Sequence, residues 1–190
     1  TEESVVFSPD RPGFGDGTTV MTPWRFGFEL GMGLSTSADA VEFEQELLVR
    51  MGLTSWFEVR LLIPGVRVSQ SDGSSGTDGG LGTKVAFDLF DGFGVSLVTM
   101  LGVPAAEESQ ETFSLFNGLN VELGLSDAVG IAVTAVATIS QDDGDDEMAW
   151  EAGGALGLVG NLGDDASVFL EGIVLTDQSG ETTPGFAVGT

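Results

Sequence analysis

Apolar side chains alternate with small or polar ones along most of this chain of 190 residues. Successive side chains of a β-strand point to opposite faces, so each alternating stretch predicts a strand with one apolar face. The clearest stretch has its apolar positions at Trp24, Phe26, Phe28, Leu30, Met32 and Leu34. About ten such stretches follow one another, each near the roughly 9–11 residues with which a tilted strand crosses a bilayer. The pattern therefore predicts an all-β fold.

The connections between the predicted strands alternate in length. Short turns rich in Gly, Asp, Asn and Ser are expected at residues 52–55, 90–92, 126–127 and 161–165. The other connections are generally longer and more acidic, at residues 35–39, 64–80, 104–111, 140–147 and 176–184. The Ser, Gly and Asp content of residues 64–80 predicts a mobile outer loop. Short turns at one end and long polar loops at the other are typical of a transmembrane barrel.

Backbone pairing decides how such strands can cross a membrane. In hydrocarbon every backbone N–H and C=O needs a partner, so the sheet must close on itself. We therefore predict an antiparallel up-and-down transmembrane β-barrel over residues 23–190, with about ten strands visible. Residues 1–22 are expected to form an extended N-terminal segment. A soluble acidic β-sandwich is the alternative, because its strands alternate as well.

Composition excludes several classes of function. The formal net charge is −24, which argues against nucleic acid as a partner because binding to phosphates needs clustered Lys and Arg. The chain contains neither His nor Cys, so it lacks the usual general base and the imidazole and thiolate metal ligands. No nucleophile with a partnering base is visible, and we do not expect an enzyme.

Charged residues fall mainly on the face opposite the apolar one, and this face would line the lumen of a barrel. The predicted lumen-lining residues are Arg25, Glu29, Glu42, Glu44, Glu46, Arg50, Glu58, Arg60, Lys84, Asp88, Glu122, Glu151 and Glu171. Because acids outnumber bases, such a lining could narrow a pore and select cations. Alternatively, internal salt bridges could fill a narrow barrel that conducts nothing.

Two further groups of residues suggest specific roles. Trp24, Trp56 and Trp150 are predicted to lie at the membrane interfaces, although the chain has no Tyr to join them. An acidic run offers hard oxygen ligands for Ca²⁺, without the spacing of an EF-hand, and a solvated loop is the alternative reading. The candidate calcium ligands are Asp142, Asp143, Asp145, Asp146 and Glu147.

Short motifs at several points of the chain resemble one family. They are residues 10–14 (DRPGF), 50–61 (RMGLTSWFEVRL), 80–84 (GLGTK) and 124–127 (GLSD), with the strand over residues 167–171. Together they resemble the outer-membrane transporter family labelled "MetA-pathway of phenol degradation". The resemblance implies a barrel of roughly twelve strands, a transport function and no established catalytic residues. Barrels of this kind end in an aromatic residue, so we expect that one or more final strands are absent from a chain ending at Thr190.

These observations lead to one expected function and one alternative. We expect a channel or transporter for small solutes in the outer membrane of a Gram-negative bacterium, with the lipid bilayer as its partner and no cofactor other than Ca²⁺ at the acidic loops. The alternative is a structural or anchoring barrel, filled by its own side chains, within a larger cell-envelope assembly. Other envelope proteins or further copies of the chain are the expected protein partners.

Overall fold

The computed structural model describes residues 17–36, 41–69, 73–103, 111–126, 128–142, 148–161 and 167–189. Within these ranges the regular secondary structure is entirely β. No helix of this described part is long and apolar enough to cross a membrane. The described residues form eleven strands: β1 (Phe26–Thr36), β2 (Val41–Gly52), β3 (Phe57–Ser69), β4 (Gly73–Gly76), β5 (Gly79–Phe90), β6 (Phe93–Val103), β7 (Glu111–Ser126), β8 (Val129–Asp142), β9 (Met148–Asn161), β10 (Ser167–Asp177) and β11 (Thr182–Gly189).

All of these strands belong to one antiparallel sheet. Ten of them follow one another in the order β1-β2-β3-β5-β6-β7-β8-β9-β10-β11, and the short strand β4 pairs only with β3. Each strand of this path therefore lies beside its neighbour in the chain, and the predicted all-β, antiparallel, up-and-down arrangement is confirmed. The path ends at β1 and β11. Among the described residues no pairing joins these two strands, so the sheet is not closed.

Tight turns join the strands at one end of the sheet, which we call the short-turn end. Between β5 and β6 the turn is Asp91-Gly92, where Gly92 has a φ of 75°. This left-handed conformation costs glycine little because it has no Cβ. Phe90 and Phe93 flank the turn, and their rings stack at a centroid distance of 4.7 Å. The predicted short turns at residues 52–55 and 90–92 are therefore present, while those at 126–127 and 161–165 lie partly outside the described residues.

The two faces of the sheet differ sharply in exposure. The apolar side chains lie on the outer face, where Leu30, Leu81 and Leu156 are 56%, 60% and 62% exposed. The polar side chains lie on the inner face, where Arg50 and Lys84 are completely buried. A single sheet can enclose its own side chains only by curling around them, so the inner face is concave. The enclosed interior of this protein is therefore largely polar.

Two predicted loops are wrong. Of the long connection expected at residues 176–184, only 178–181 lie between strands, because β10 continues to Asp177 and β11 begins at Thr182. The second case is larger. Residues 64–80 are expected to form a mobile outer loop, whereas β3 continues to Ser69, β4 pairs back onto it and β5 begins at Gly79. Thr77 joins the two sides of this extension, because its hydroxyl accepts the Gly65 amide at 2.7 Å and its own amide donates to the Gly65 carbonyl at 3.2 Å. The Ser and Gly composition indicated a loop, but hydrogen bonds along β3 outweigh that local preference.

The register between β2 and β3 shifts between Gln45 and Leu47, where a bulge brings two backbones close together. A Cβ placed on Gly65 would overlap the carbonyl group of Gln45, so only glycine fits there without movement of a strand. A Cβ on Gly172, in the middle of β10, would meet nothing within 4 Å.

We therefore expect Gly65→Ala to lower the free energy of unfolding by about 1–3 kcal/mol, the usual cost of overpacking. Gly172→Ala, which meets open space, is the matched control and is expected to change stability by no more than about 0.5 kcal/mol. Chemical denaturation of both variants measures the difference. Equal stability of the two variants would show that the bulge accommodates a side chain.

Candidate functional site

Glu58 lies at the centre of a group of ions on the inner face. Its carboxylate accepts hydrogen bonds from Arg50 Nε at 2.8 Å and Arg50 Nη2 at 3.0 Å, which is the two-point geometry that pairs guanidinium with carboxylate. Arg60 Nε donates to the same carboxylate at 2.8 Å. Arg50 also donates through Nη1 to Glu29 on β1. With Lys84, these residues form what we call the charge cluster.

Strand register explains why these residues meet. Glu58 and Arg60 are two positions apart on β3, so their side chains share one face. Arg50 on β2 lies opposite Arg60, and Lys84 on β5 lies opposite Glu58. The sequence correctly placed these four residues on one face from the alternation alone, and the pairing of β2, β3 and β5 brings them together.

The buried part of the inner face is close to electrical balance. Its buried ions are Arg50, Arg60, Lys84, Glu58 and Glu171, and the Glu29 side chain beside them is only 13% exposed. Among the described residues, three buried cations therefore accompany two buried carboxylates and the partly buried Glu29, while Glu46 and Glu122 are partly buried as well. Pairing of this kind is what burial of charge requires, because an uncompensated ion in a low-dielectric interior is very costly. An acidic excess over the whole lining stays a prediction.

A row of neutral polar side chains crosses the neighbouring wall. Asn120 on β7 donates through Nδ2 to Ser96 Oγ on β6 at 3.2 Å, and Thr134 Oγ1 on β8 donates to Asn120 Oδ1 at 3.0 Å. All three residues are buried. They lie directly opposite one another in the strand register, so the row follows from the pairing. Isolated Ser, Asn and Thr residues in strands carry no distinctive pattern, so the sequence does not identify these three residues as part of a site.

Residues 17–22, which we call the inner segment, lie against the inner face. The Thr18 side chain donates to Glu122 Oε2 at 2.6 Å, and the Gly17 carbonyl accepts the Ser96 hydroxyl at 3.0 Å. At the other side the Met21 amide donates to Glu58 Oε2 at 2.8 Å. The sequence predicted an extended segment over residues 1–22 but gave no sign that part of it enters the interior.

Two glycines leave room for the inner segment. A Cβ on Gly94 would overlap the Thr18 hydroxyl, and a Cβ on Gly52 would overlap the Met21 carbonyl. Close approach of another backbone is a common reason for glycine inside a strand. The signal that could have located the segment was therefore the presence of glycine at these two inner-face positions.

The remaining predicted lumen residues are spread along the strands. Arg25, Asp88 and Glu151 are exposed, whereas Glu46, in the middle of β2, and Glu122 are partly buried. The side chains of Glu42 and Glu44 lie outside the described part of the protein. Asp88, Glu122 and Thr18 line an open recess of about 510 Å³ at the short-turn end. Acidic side chains are therefore present both in the interior and near the strand ends.

The three tryptophans are exposed, at 72% for Trp24, 47% for Trp56 and 48% for Trp150. Trp24 and Trp56 lie at the short-turn end, next to the end of β2 and the start of β3. Trp56 stacks on Phe87 with a centroid distance of 6.2 Å. Trp150 pairs with Ile139 near the opposite end of the sheet. Aromatic side chains are therefore present near both ends of the outer face.

The predicted calcium ligands fall almost entirely outside the described residues. Residues 143–147 are not described, and Asp142 is described only as the last residue of β8, without its side chain. The calcium site stays a prediction.

Comparisons of the chain with protein-family models, with curated proteins and with solved structures find no match. The resemblance to the outer-membrane transporter family therefore stays a prediction based on the short motifs. The geometry of the inner and outer faces of the sheet is therefore the basis for inferring a function.

The charge cluster allows a prediction of how the free energy of unfolding changes when its central carboxylate is lost. Glu58→Gln removes the charge on which Arg50 and Arg60 converge, while it keeps the size of the side chain. We expect a loss of about 3–5 kcal/mol in the free energy of unfolding, because two buried cations lose their carboxylate.

Glu181→Gln is the control, because Glu181 is exposed, and its variant should stay within about 0.5 kcal/mol of the natural protein. Denaturant titration of both variants supplies the measurement. A Glu58→Gln variant as stable as the control would mean that the cluster contributes nothing to the fold.

Proposed function

We propose that the chain is a transmembrane β-barrel protein of a bacterial outer membrane, in which lipid tails contact the outer face. The observation that carries this proposal is the reversed distribution of polarity, with an exposed apolar face and an enclosed charged face. Soluble monomers rarely expose a continuous apolar patch larger than a few hundred Å². Here exposed apolar side chains are found on strands from β1 to β11. Examples are Phe28, Leu97, Leu170 and Phe186.

The arrangement of the chain also argues against a soluble β-sandwich. A sandwich covers its apolar face with a second sheet. All strands of the described residues belong to one sheet, and the inner segment packs on the polar face. The apolar face therefore has no protein layer over it within the described chain, and lipid is the medium that suits it. The exposed tryptophans near both ends would then lie at the two interfaces.

Closure of the sheet is a necessary part of the proposal. The outer edges of β1 and β11 have no strand partner among the described residues, and backbone groups at such edges cannot remain unpaired in hydrocarbon. We propose that these edges join in the membrane, either with each other or through further strands, to give a barrel of about 10–12 strands.

Passage of small solutes along the inner face is the activity that we propose. The inner face carries polar and ionic groups from the charge cluster across to Ser96, Asn120 and Thr134, so it offers a hydrophilic path through an apolar environment. Asp88, Glu122 and Glu151 lie toward the ends of this path. The resemblance to an outer-membrane transporter family implies the same class of activity.

A structural barrel is the second candidate, and a specific observation favours it. Arg50, Glu58 and Lys84 are completely buried, so the central interior is filled by side chains. A small barrel filled in this way can stabilise an envelope assembly without conducting. Copurification with stoichiometric partners, combined with an absence of conductance, would support this candidate.

Replacement of outer-face leucines by arginine tests the membrane location. Leu97 lies near the middle of β6, and Leu89 lies near the short-turn end of β5; they are 49% and 61% exposed. In a bilayer we expect Leu97→Arg to cost about 2–4 kcal/mol and Leu89→Arg about 0–1 kcal/mol, because the cost of a charge depends on depth.

The two variants are matched controls for each other, and the measurement is reversible unfolding from lipid bilayers. If water contacts the outer face, both substitutions should change stability by no more than about 0.5 kcal/mol. That outcome, together with stability of the chain without detergent, would contradict the membrane proposal.

Electrical recording tests solute passage. We expect discrete conducting events for the full chain in planar bilayers, with a weak preference for cations measured as a reversal potential in unequal KCl. The preference is weak because the buried cations Arg50, Arg60 and Lys84 lie among the carboxylates of the inner face. Anion preference would contradict the assigned lining, and folded protein without current would favour the structural candidate.

A further inference from the structure

The inner segment crosses from one wall of the interior to another. Its contacts begin at Ser96 on β6 and Glu122 on β7 and end at Glu58 on β3. Along the sheet, β3 and β7 are three strand spacings apart, which is roughly 14 Å at about 4.8 Å per spacing. Three residue steps separate Thr18 from Met21 and cover about 10 Å at about 3.4 Å each. The Glu122 and Glu58 side chains, whose carboxylates make these contacts, span the remaining distance. The segment therefore runs across the strands and lies transverse to a path that follows them.

Hydrogen bonds and one buried apolar side chain hold the inner segment in place. Thr18 contacts the Glu122 carboxylate through both its hydroxyl and its amide, the second at 3.4 Å. Gly17 and Met21 make their hydrogen bonds through backbone atoms. Polar contacts of this kind can be exchanged for contacts with water. Met21 is the buried apolar side chain of the segment, and its burial opposes release.

The inner segment has a defined corner at its far end. Trp24 donates its amide to the Gly52 carbonyl at 2.8 Å, and the Gly52 amide donates to the Arg25 carbonyl at 3.2 Å. Trp24 also has a φ of 61°, which is rare for a bulky residue. The chain thus turns sharply where it leaves the interior and joins β1, and the hydrogen bonds that attach this turn to β2 do not involve residues 17–21.

We propose that the inner segment is a gate, which closes the polar path while Thr18 and Gly17 are bound to Glu122 and Ser96 and opens it when these contacts break. This inference rests on the proposed passage of small solutes. The corner at Trp24 is the hinge. Release would uncover Ser96, Glu122 and the Glu58 oxygen that binds the Met21 amide, so the open path has ionic groups on one wall and neutral polar groups on the other.

A disulfide can lock the gate, because the chain contains no natural Cys. An ideal Cβ on Gly94 would lie 2.8 Å from Thr18 Cβ, and disulfides need about 3.5–4.5 Å. A shift of about 1 Å therefore allows Thr18→Cys and Gly94→Cys to pair. We expect the oxidised double variant to be closed in planar bilayers, and we expect current to return when a reductant is added. Thr18→Cys alone is the control, because it should not respond to oxidation.

Glu122→Gln weakens the same contact without a covalent bond. We expect its open probability to exceed that of the natural protein by about tenfold, because a charge-assisted hydrogen bond is replaced by a neutral one. Glu181→Gln, an identical substitution on an exposed turn, is the matched control and should leave the open probability unchanged. Labelling of Met21→Cys by a water-soluble maleimide, with and without Glu122→Gln, measures release of the segment independently of current.

The outcomes separate the gate from the channel. If the double variant carries the same current when oxidised as it does after reduction, the gate is overturned and solute passage is unaffected. A second outcome is that Met21→Cys is labelled faster in the Glu122→Gln background, but no folded and inserted variant carries current. That outcome would overturn solute passage and the gate together. Equal labelling rates in the Glu122→Gln and Glu181→Gln backgrounds would show that the contact with Thr18 does not hold the segment, which also overturns the gate.

Discussion

The carboxylate of Glu58 is the interaction on which the interior of this protein depends. It binds two guanidinium groups from neighbouring strands and the backbone of the inner segment, so one side chain connects β2, β3 and the N-terminal region. None of these groups could be buried alone, because an isolated ion in a low-dielectric interior costs several kcal/mol. Their mutual compensation allows a sheet to curl with its charged side inward. The apolar side chains must then face outward, and the unusual surface of the protein follows from that single requirement.

Much of the sheet could be predicted from the sequence because strand alternation is a local property. The faces of β1, β3 and β6 follow from every second residue, and the short turns follow from their Gly, Asp, Asn and Ser content. The charge cluster was also predictable as a set of residues sharing one face. Its geometry was not, since it depends on the register that places Arg50 opposite Arg60 and Lys84 opposite Glu58.

The features that the sequence did not predict depend on contacts between segments, which are close in the chain for β3 and β4 and distant for the inner segment. The Gly and Ser residues after Pro64 read as a loop, yet pairing with β3 makes them strand. The inner segment gave no periodic signal, because it is held by single hydrogen bonds to Ser96, Glu122 and Glu58. Overall composition also does not show which charges pair, whereas the buried carboxylate of Glu58 lies between the guanidinium groups of Arg50 and Arg60.

The separation of Thr18 and Glu122 by 104 positions in the chain has a consequence for the order of assembly. Each strand of the path can pair with a neighbour that is close in sequence, so hairpins can form soon after their residues are available. The contact between Thr18 and Glu122 instead closes a long loop, and it has no partner until β7 is in place. The earliest residues of the described chain are therefore among the last to reach their final position, and the interior must stay accessible to them until the seventh strand has joined the sheet.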